Sequence, residues 1–336
     1  MKILLTGGTG YIGSHTCVQL LKAGHDATII DNLSNSKQLV ADRIHDITGL
    51  KPSFYHGDIL DQQFLDQVFA KEKPEAVIHF AGLKAVGESV ARPLLYYRNN
   101  VGGTLSLCQV MQKHGVKKLV FSSSATVYGD PETVPISETC PAGKATNPYG
   151  RSKYMVEQIL GDTHNSDSTW SIALLRYFNP VGAHESGLIG EDPGNIPNNL
   201  MPFITQVAIG RQPELQVFGN DYPTVDGTGV RDYIHVVDLA DGHLCALNKL
   251  KEHKGLGIWN LGTGTGYSVL EVVKAFEQAS GKRISYKITA RRPGDIASCY
   301  ADPALANHEL NWQAKRDLQT MCRDSWNWQS KNPNGY

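Results

Sequence analysis

The chain has 336 residues, of which 41% are hydrophobic and 19% charged, a globular composition that excludes a disordered or fibrous chain. Lys and Arg total 32 against 33 Asp and Glu, a net charge of −1, so nothing electrostatic supports a nucleic-acid or anionic-membrane partner, although a local cationic pocket for a small anion stays open. At roughly 150 residues per domain, two domains are expected, or one with a large insertion, around a core that needs no disulfide or metal staple.

Along the chain, short apolar, β-branched runs alternate with longer amphipathic stretches. Lys2–Leu5, Ala27–Ile30, Ser53–His56, Ala76–Phe80, Lys118–Ser122 and Ile172–Tyr177 read as buried strands; Gly13–Ala23, Gln62–Lys71, Thr104–His114 and Pro148–Leu160 read as the helices between them. Continuous apolar strands separated by helices predict an α/β fold, a doubly wound parallel sheet covered on both faces and connected right-handed. Beyond Asn179 the texture changes: residues 180–235 are rich in Pro, Gly and Asn and lose the rhythm. Residues 1–180 are therefore expected to form the first domain, rejoined by strands near 233–237 and 258–261, and residues 181–336 mainly a second, smaller α+β domain that carries the substrate. Gly262–Gly266 reads Gly-Thr-Gly-Thr-Gly; no acid follows at the ribose-binding distance, so it is read as a turn into a helix near Val269–Ser280 and not as a second phosphate loop.

The six cysteines, Cys17, Cys108, Cys140, Cys245, Cys299 and Cys322, are spaced for neither a zinc site nor a disulfide scaffold, and no metal is expected. The apolar start, Met1–Leu5, is too short for a signal peptide. No apolar run approaches the roughly 20 residues that cross a bilayer. A soluble, cytoplasmic protein without a membrane or nucleic-acid partner is expected.

Thr6–Gly13 reads Thr-Gly-Gly-Thr-Gly-Tyr-Ile-Gly between a predicted strand and a predicted helix. Gly7, Gly10 and Gly13 give G-x-x-G-x-x-G, one residue looser than the usual dinucleotide spacing. Glycine there permits a tight turn and close backbone approach, and the helix N-terminus offers free N–H groups to a pyrophosphate. Three glycines in a turn are weak evidence alone. Asp31 strengthens the reading: it ends the second strand near the roughly 20-residue offset of a ribose-binding acid. It would repel a 2′-phosphate, and Asn32 and Leu33 supply no arginine, so NAD is favoured over NADP; a capping role is the plain alternative. Asp58 and Ile59 end the third strand, suited to receive an adenine amino group. Phe80, Ala81, Gly82, Leu83 and Lys84 end the fourth, where small residues let a dinucleotide cross. Such strand ends meet in the crevice where open α/β sheets bind ligands, which makes the first domain Rossmann-type.

Tyr149 and Lys153 lie four apart on the helix that follows Pro148, on one face. A tyrosine titrates near 10 in isolation, too high for a base at neutral pH; a nearby ammonium and a positive nicotinamide ring would draw it down. Ser122, Ser123 and Ser124 end the fifth strand and face the same crevice, where a hydroxyl can relay a substrate proton. Tyr-x-x-x-Lys occurs by chance on surface helices, and its weight comes from the company it keeps here.

With these motifs the sequence resembles the extended short-chain dehydrogenase/reductase superfamily and, within it, the UDP-glucose 4-epimerase family. The resemblance covers essentially the whole chain and is densest in Tyr11–Leu20, His79–Val90, Phe121–Gly129, Ile172–Ala183, Gly190–Pro202 and Gly229–Gly242. It implies that Tyr149 takes the proton of the sugar 4-hydroxyl while C4 gives a hydride to NAD, that Ser124 assists, and that Lys153 tunes the tyrosine and binds the cofactor ribose. The 4-keto sugar then turns and takes the hydride back on its other face. It implies further cofactor contacts at Tyr11, Ile12, Asn32, Asn35, Ser36, Asn99, Ser122, Tyr177 and Phe178. Arg231 and Arg292 match diphosphate ligands, suited by their planar forks, with Asp295 closing Arg-Pro-Gly-Asp. Asn179, Asn199 and Leu200 resemble further substrate contacts, and Gln216, Val217 and Phe218 the segment that holds uracil through its backbone. His235 nearby reads as a structural histidine. A homodimer through helices near Gly102–His114 and Tyr149–Leu160 is implied as well.

Cys299 is where this chain departs from part of that family. Members restricted to glucose and galactose resemble one another in carrying a tyrosine there; those that accept N-acetylhexosamines carry a small residue. Tyr to Cys removes about six heavy atoms, and an N-acetyl in place of a hydroxyl adds about three, so the space suffices. The expectation is a 4-epimerase for UDP-glucose and UDP-galactose that also interconverts UDP-N-acetylglucosamine and UDP-N-acetylgalactosamine, unless Tyr300 or a loop fills the gap. Two alternatives share the fold. One is a nucleotide-sugar dehydratase or decarboxylase; a dehydratase would need a carboxylate pair after the catalytic hydroxyl, and Ser124-Ala125-Thr126 has no acid. A non-catalytic NAD sensor would need neither Tyr149 nor Lys153.

Overall fold

The structure, a computed structural model, describes residues 1–194, 197, 199–252, 254–292 and 294–336. Within the run Gly190–Pro202, Asn195, Ile196 and Asn198 lie outside the described residues, as does Pro293 of Arg-Pro-Gly-Asp.

In chain order the first half runs β1 (Lys2–Thr6), α1 (Tyr11–Lys22), β2 (Asp26–Asp31), α2 (Leu39–Thr48), β3 (Ser53–His56), α3 (Gln62–Glu72), β4 (Ala76–His79), the short α4 (Val86–Ala91) and α5 (Pro93–Tyr96), a π-helical turn (Tyr97–Gly102), α6 (Gly103–Lys113), β5 (Lys118–Ser124), a 3-10 turn (Ala125–Tyr128), α7 (Pro148–Ser166) and β6 (Ser171–Tyr177). The second half adds β7 (Asn179–Val181), α8 (Leu200–Ala208), β8 (Leu215–Phe218), β9 (Val230–His235), α9 (Val236–Glu252), β10 (Gly255–Leu261), β11 (Gly266–Ser268), α10 (Val269–Ser280), β12 (Tyr286–Thr289), β13 (Ser298–Cys299), α11 (Ala304–Glu309) and α12 (Leu318–Lys331).

Seven strands form one parallel sheet in the order β10-β6-β5-β4-β1-β2-β3. Period-two alternation divides the strand side chains between its two faces. Ile3, Leu5, Ile29 and Ile78 pack with α1, α2 and α9 on one side; Leu4, Ile30 and Val77 pack with α3, α6 and α7 on the other. A third core, around Val217, Tyr233, Phe276 and Met321, joins α8, α10 and α12 to the small sheets of the second half.

The strand expected near 258–261 does rejoin the main sheet, as edge strand β10. The one expected near 233–237 does not. β9 ends at His235 and pairs with β7, β11 and β13 in a separate four-stranded sheet, and Val236 onward is helix. β8 and β12 form a third, two-stranded sheet. The Gly262–Gly266 stretch is a turn, as read: Thr263 and Gly264 donate their backbone N–H groups to the buried carboxylate of Asp232, and a Ser268–Glu271 capping box opens α10.

Candidate active site

The β1–α1 turn has the shape a pyrophosphate needs. Gly7 has φ +70, and a Cβ there would sit 2.8 Å from the backbone nitrogen of Ala81 after β4. A Cβ on Gly13 would sit 2.4 Å from the Gly7 carbonyl. Gly10 caps α1 without a side-chain acceptor, so the N–H groups of Tyr11, Ile12 and Gly13 have no intrahelical partner and lie at the positive end of the helix. This donor set and glycine cradle fit a dinucleotide diphosphate. Asp31 holds the neighbouring loop, accepting from Thr9 N at 3.1 Å, Leu33 N at 2.9 Å and Ser36 Oγ at 2.9 Å. A carboxylate accepts about four hydrogen bonds, so one position remains for a ribose hydroxyl. Asp58 fixes Asn32 (3.0 Å) and the Leu60 N–H (2.9 Å), Ile59 is buried, and Asn35 is exposed at the loop tip.

Past β4, the Phe80–Lys84 loop is held by a residue that spacing did not reveal. Asn100, buried in the π-helical turn, accepts from Leu83 N (2.8 Å) and donates to Leu83 O (3.0 Å) and Ser152 Oγ (3.0 Å). It thereby ties this loop to α7, with Asn99 donating to its side-chain oxygen at 3.0 Å. Gly82 packs against Asn100, and Phe80 against His243.

On α7, Asn147 caps the Gly150 N–H at 2.9 Å and Pro148 occupies the first turn, which fixes the start of the helix just before Tyr149; such a cap is worth about 1 kcal/mol. Ser124 lies near Tyr149 and pulls its pKa down. Ser124 Oγ accepts from Thr126 N (3.2 Å) and Thr126 Oγ1 (2.9 Å), which frees its own proton for the phenol oxygen. Lys153 donates to the Ser122 carbonyl at 2.6 Å and lies 4.8 Å above the Phe121 ring. Burial pushes the Lys153 ammonium down to about 8 against the pull of Glu157. The sequence reading has Lys153 drawing Tyr149 down. Here burial pushes the phenol above its ordinary value, and the groups pulling the other way are Ser124 and Lys84. Lys84 in turn pairs with Glu191 at 2.9 Å, an acid the sequence reading passed over. Tyr177 is buried and bonds His243, beside Phe178 at the carboxyl end of β6.

Across the crevice, Arg231 on β9 stands in register with Cys299 on β13. Arg292 stacks 4.6 Å from the Phe218 ring and bonds Asp295 at 2.9 Å. Asn199 donates to Glu191 at 2.9 Å beside Leu200, and Asn179 opens β7 with its side chain exposed. Along β8, Leu215 N and Gly219 N bond the β12 side at 2.8 Å each. Strand alternation therefore turns the backbone of Gln216 and Phe218 to the open edge. Val217 lies beneath: its side chain is in the third core and its carbonyl accepts from Thr289. Cys299 packs against the cluster of Ala125, Tyr128 and Phe178, while Tyr300 lies against Gly266. His235 is fully buried, with Asp324 on one ring nitrogen and the Val237 N–H on the other. Among the described residues no cluster suits a metal ion, and no helix is long and apolar enough to cross a membrane.

The NAD dependent epimerase/dehydratase family model matches residues 3–262. A curated relative from Bacillus subtilis (strain 168), UDP-glucose 4-epimerase, is 65% identical over 336 residues, 100% of this chain and 99% of its own. The crystal structure of UDP-glucose 4-epimerase from Bifidobacterium longum, in complex with NAD+ and UDP, superposes with a TM-score of 0.97 at 55% identity over 100% of both chains. That of the UDP-Glc/GlcNAc 4-epimerase from Campylobacter jejuni superposes with a TM-score of 0.86 at 38% identity, over 98% of this chain and 99% of that one.

Proposed function

Since the chain belongs to the NAD dependent epimerase/dehydratase family, we infer that its activity is the NAD-dependent 4-epimerisation of UDP-glucose and UDP-galactose through a 4-keto sugar. The observation that carries this is full-length identity of 65% to a relative of that activity. Bound at the Gly7–Gly13 turn and Asp31, NAD would supply the hydride chemistry at C4. Tyr149 holds the proton of the 4-hydroxyl. Ser124, its oxygen saturated by Thr126, donates to the Tyr149 oxygen and stabilises it when it is negative. Lys84 and Lys153 supply positive charge at the two ends of this array. Gly7–Gly13 holds the cofactor diphosphate, and Arg231 and Arg292 hold that of the substrate. The uracil lies along the open backbone edge of Gln216 and Phe218. With Ser124-Ala125-Thr126 bearing no acid, no group there removes a C5 proton, so the ketone turns instead of eliminating.

Cys299 widens the sugar pocket for N-acetylhexosamines. It sits between the Ala125–Phe178 cluster and Arg231, and the adjacent Tyr300 side chain lies away against Gly266. The chain acts as a homodimer, its exposed apolar side chains Val90, Leu94, Leu105 and Met155 forming the contact. The test supplies UDP-galactose to purified protein without added NAD and separates the products. UDP-glucose is expected; no conversion, even with NAD added, overturns the reading.

A further inference from the structure

Glu191 and Asp192 have no part in the chemistry above, yet both are turned toward the cofactor side of the crevice. Glu191 pairs with Lys84 at 2.9 Å and Asp192 with Lys37 at 3.3 Å. Lys84 follows β4, Lys37 follows β2, and β1 lies between those strands in the sheet. Neighbouring strands are about 4.8 Å apart, so two consecutive residues here grip loops from strands about 10 Å apart. Gly190–Asp192 therefore crosses the carboxyl end of β1, over the turn that opens α1. Tyr11, the first residue of α1, and Glu191 line one small cavity beneath it.

This segment has no helix or strand of its own, and Tyr336 holds it. The Tyr336 hydroxyl donates to Gly190 O at 3.1 Å and accepts from Gly190 N at 3.0 Å. Its backbone N–H donates to Asp192 at 3.0 Å, and its carbonyl accepts from Lys37 at 2.9 Å. Its ring lies 4.6 Å from that of Trp328, whose indole N–H donates to the Glu191 carbonyl at 3.3 Å. The fit is close: a Cβ on Gly190 would sit 2.3 Å from Trp328, and one on Gly335 2.3 Å from Asp192.

We propose that Gly190–Asp192 is a strap across the dinucleotide diphosphate and that Tyr336 is its latch, a positioning residue that sets how fast bound NAD leaves. The cofactor departs only when the strap lifts, and lifting breaks the Tyr336–Gly190 pair and both lysine contacts. The inference rests on the Gly7–Gly13 turn being the NAD site.

The test compares the wild-type holoenzyme with Tyr336→Phe, which keeps the ring on Trp328 and loses only the hydroxyl. Resident NAD is chased with isotopically labelled NAD and its release followed by mass spectrometry. Release is expected to quicken about tenfold, equivalent to about 1.4 kcal/mol, with Lys37→Met moving it the same way. Excess NAD should restore the turnover that Tyr336→Phe loses on dilution. The NAD-free Tyr336→Phe protein loses the same two hydrogen bonds, so its melting temperature falls whether Tyr336 is a latch or a general prop; the two are separated by Phe276→Ala, which loosens the third core without touching the strap and, for a latch, leaves NAD release unchanged. Equal release rates for Tyr336→Phe and wild type overturn the proposal, as does release from Phe276→Ala as fast as from Tyr336→Phe. Wild-type protein that binds no NAD would instead sink the cofactor site itself.

Discussion

Lys153 shows what burial does to a single charge. It projects from α7 with its ammonium on the Ser122 carbonyl, and burial holds its pKa down to about 8, whereas an unfolded lysine titrates near 10.4. Between about pH 8 and 10.4 the unfolded chain binds a proton that the folded one does not, so stability rises with pH across that window; below it the burial cost is felt in full. Thermal unfolding of NAD-free wild type and Lys153→Met should therefore diverge in favour of wild type as the pH climbs from 7.5 to 10. A constant difference would mean that Lys153 stays charged throughout. Cys299 carries a second residue-scale test. Cys299→Tyr places a larger side chain against Ala125 and Phe178 and, if Cys299 lines the sugar site as proposed, should cut turnover of UDP-N-acetylgalactosamine tenfold or more relative to UDP-galactose, about the discrimination that shape provides; equal effects on both sugars would remove the gatekeeper role. Spacing exposed Tyr149 and Lys153, four apart, and the glycine turn, three apart at each step, because those regular offsets are themselves the signal. It hid Asn100, Thr126 and Glu191. Asn100 and Glu191 act on residues far off in sequence. The Lys84–Glu191 pair crosses from one half of the chain to the other, and no periodicity records it.

At the scale of elements, α7 joins chemistry to framework. Tyr149, Lys153 and Glu157 follow one another at four-residue spacing on one face. Glu157 accepts from Ser123 on β5 and takes a forked pair of bonds, 3.0 and 2.6 Å, from Arg176 on β6. Both members of this ion pair are almost wholly buried, with side chains 2% and 4% exposed. Glu157→Ala strands a buried guanidinium and should destabilise the protein by about 3–5 kcal/mol, read as a lower urea midpoint. Replacing both residues with methionine should recover most of that loss, since the stranded charge goes with the pair. A Glu157→Ala protein as stable as wild type would mean that water reaches Arg176. The six strands of the first half and its helices α1, α3, α6 and α7 were legible from their apolar runs and apolar faces, whereas α2, α4 and α5 were not read. β9 misled for a physical reason. Ile234 packs into the first core and Tyr233 into the third, so the strand looks doubly buried, like a central strand of the main sheet. It is buried because it lies at the seam, where another small sheet meets it, and hydrophobic pattern reports burial without naming the neighbour.

For the whole molecule, the helices α4, α5, α6 and α7 carry four of the large apolar side chains that stand exposed among the described residues. Leu94 is 81% exposed, Val90 63%, Met155 44% and Leu105 42%. Single exposed leucines are ordinary, but a contiguous group on packed helices marks an association surface. These helices touch one another through α7 and the π-helical turn, so the four side chains stand on neighbouring elements. The near-neutral net charge of −1 opposes no self-association. Because α7 carries Tyr149 and Lys153 on the stripe opposed to β5 and Met155 on its outer surface, a second copy would brace the helix that bears them from behind without entering the crevice. Leu105→Glu with Met155→Glu places two unpaired charges in that contact and should halve the mass measured by sedimentation equilibrium while the far-ultraviolet circular dichroism stays unchanged. A double variant that still sediments with twice the chain mass would move the contact to another face, and a wild type that sediments as a single chain would leave these side chains without a partner of their own kind.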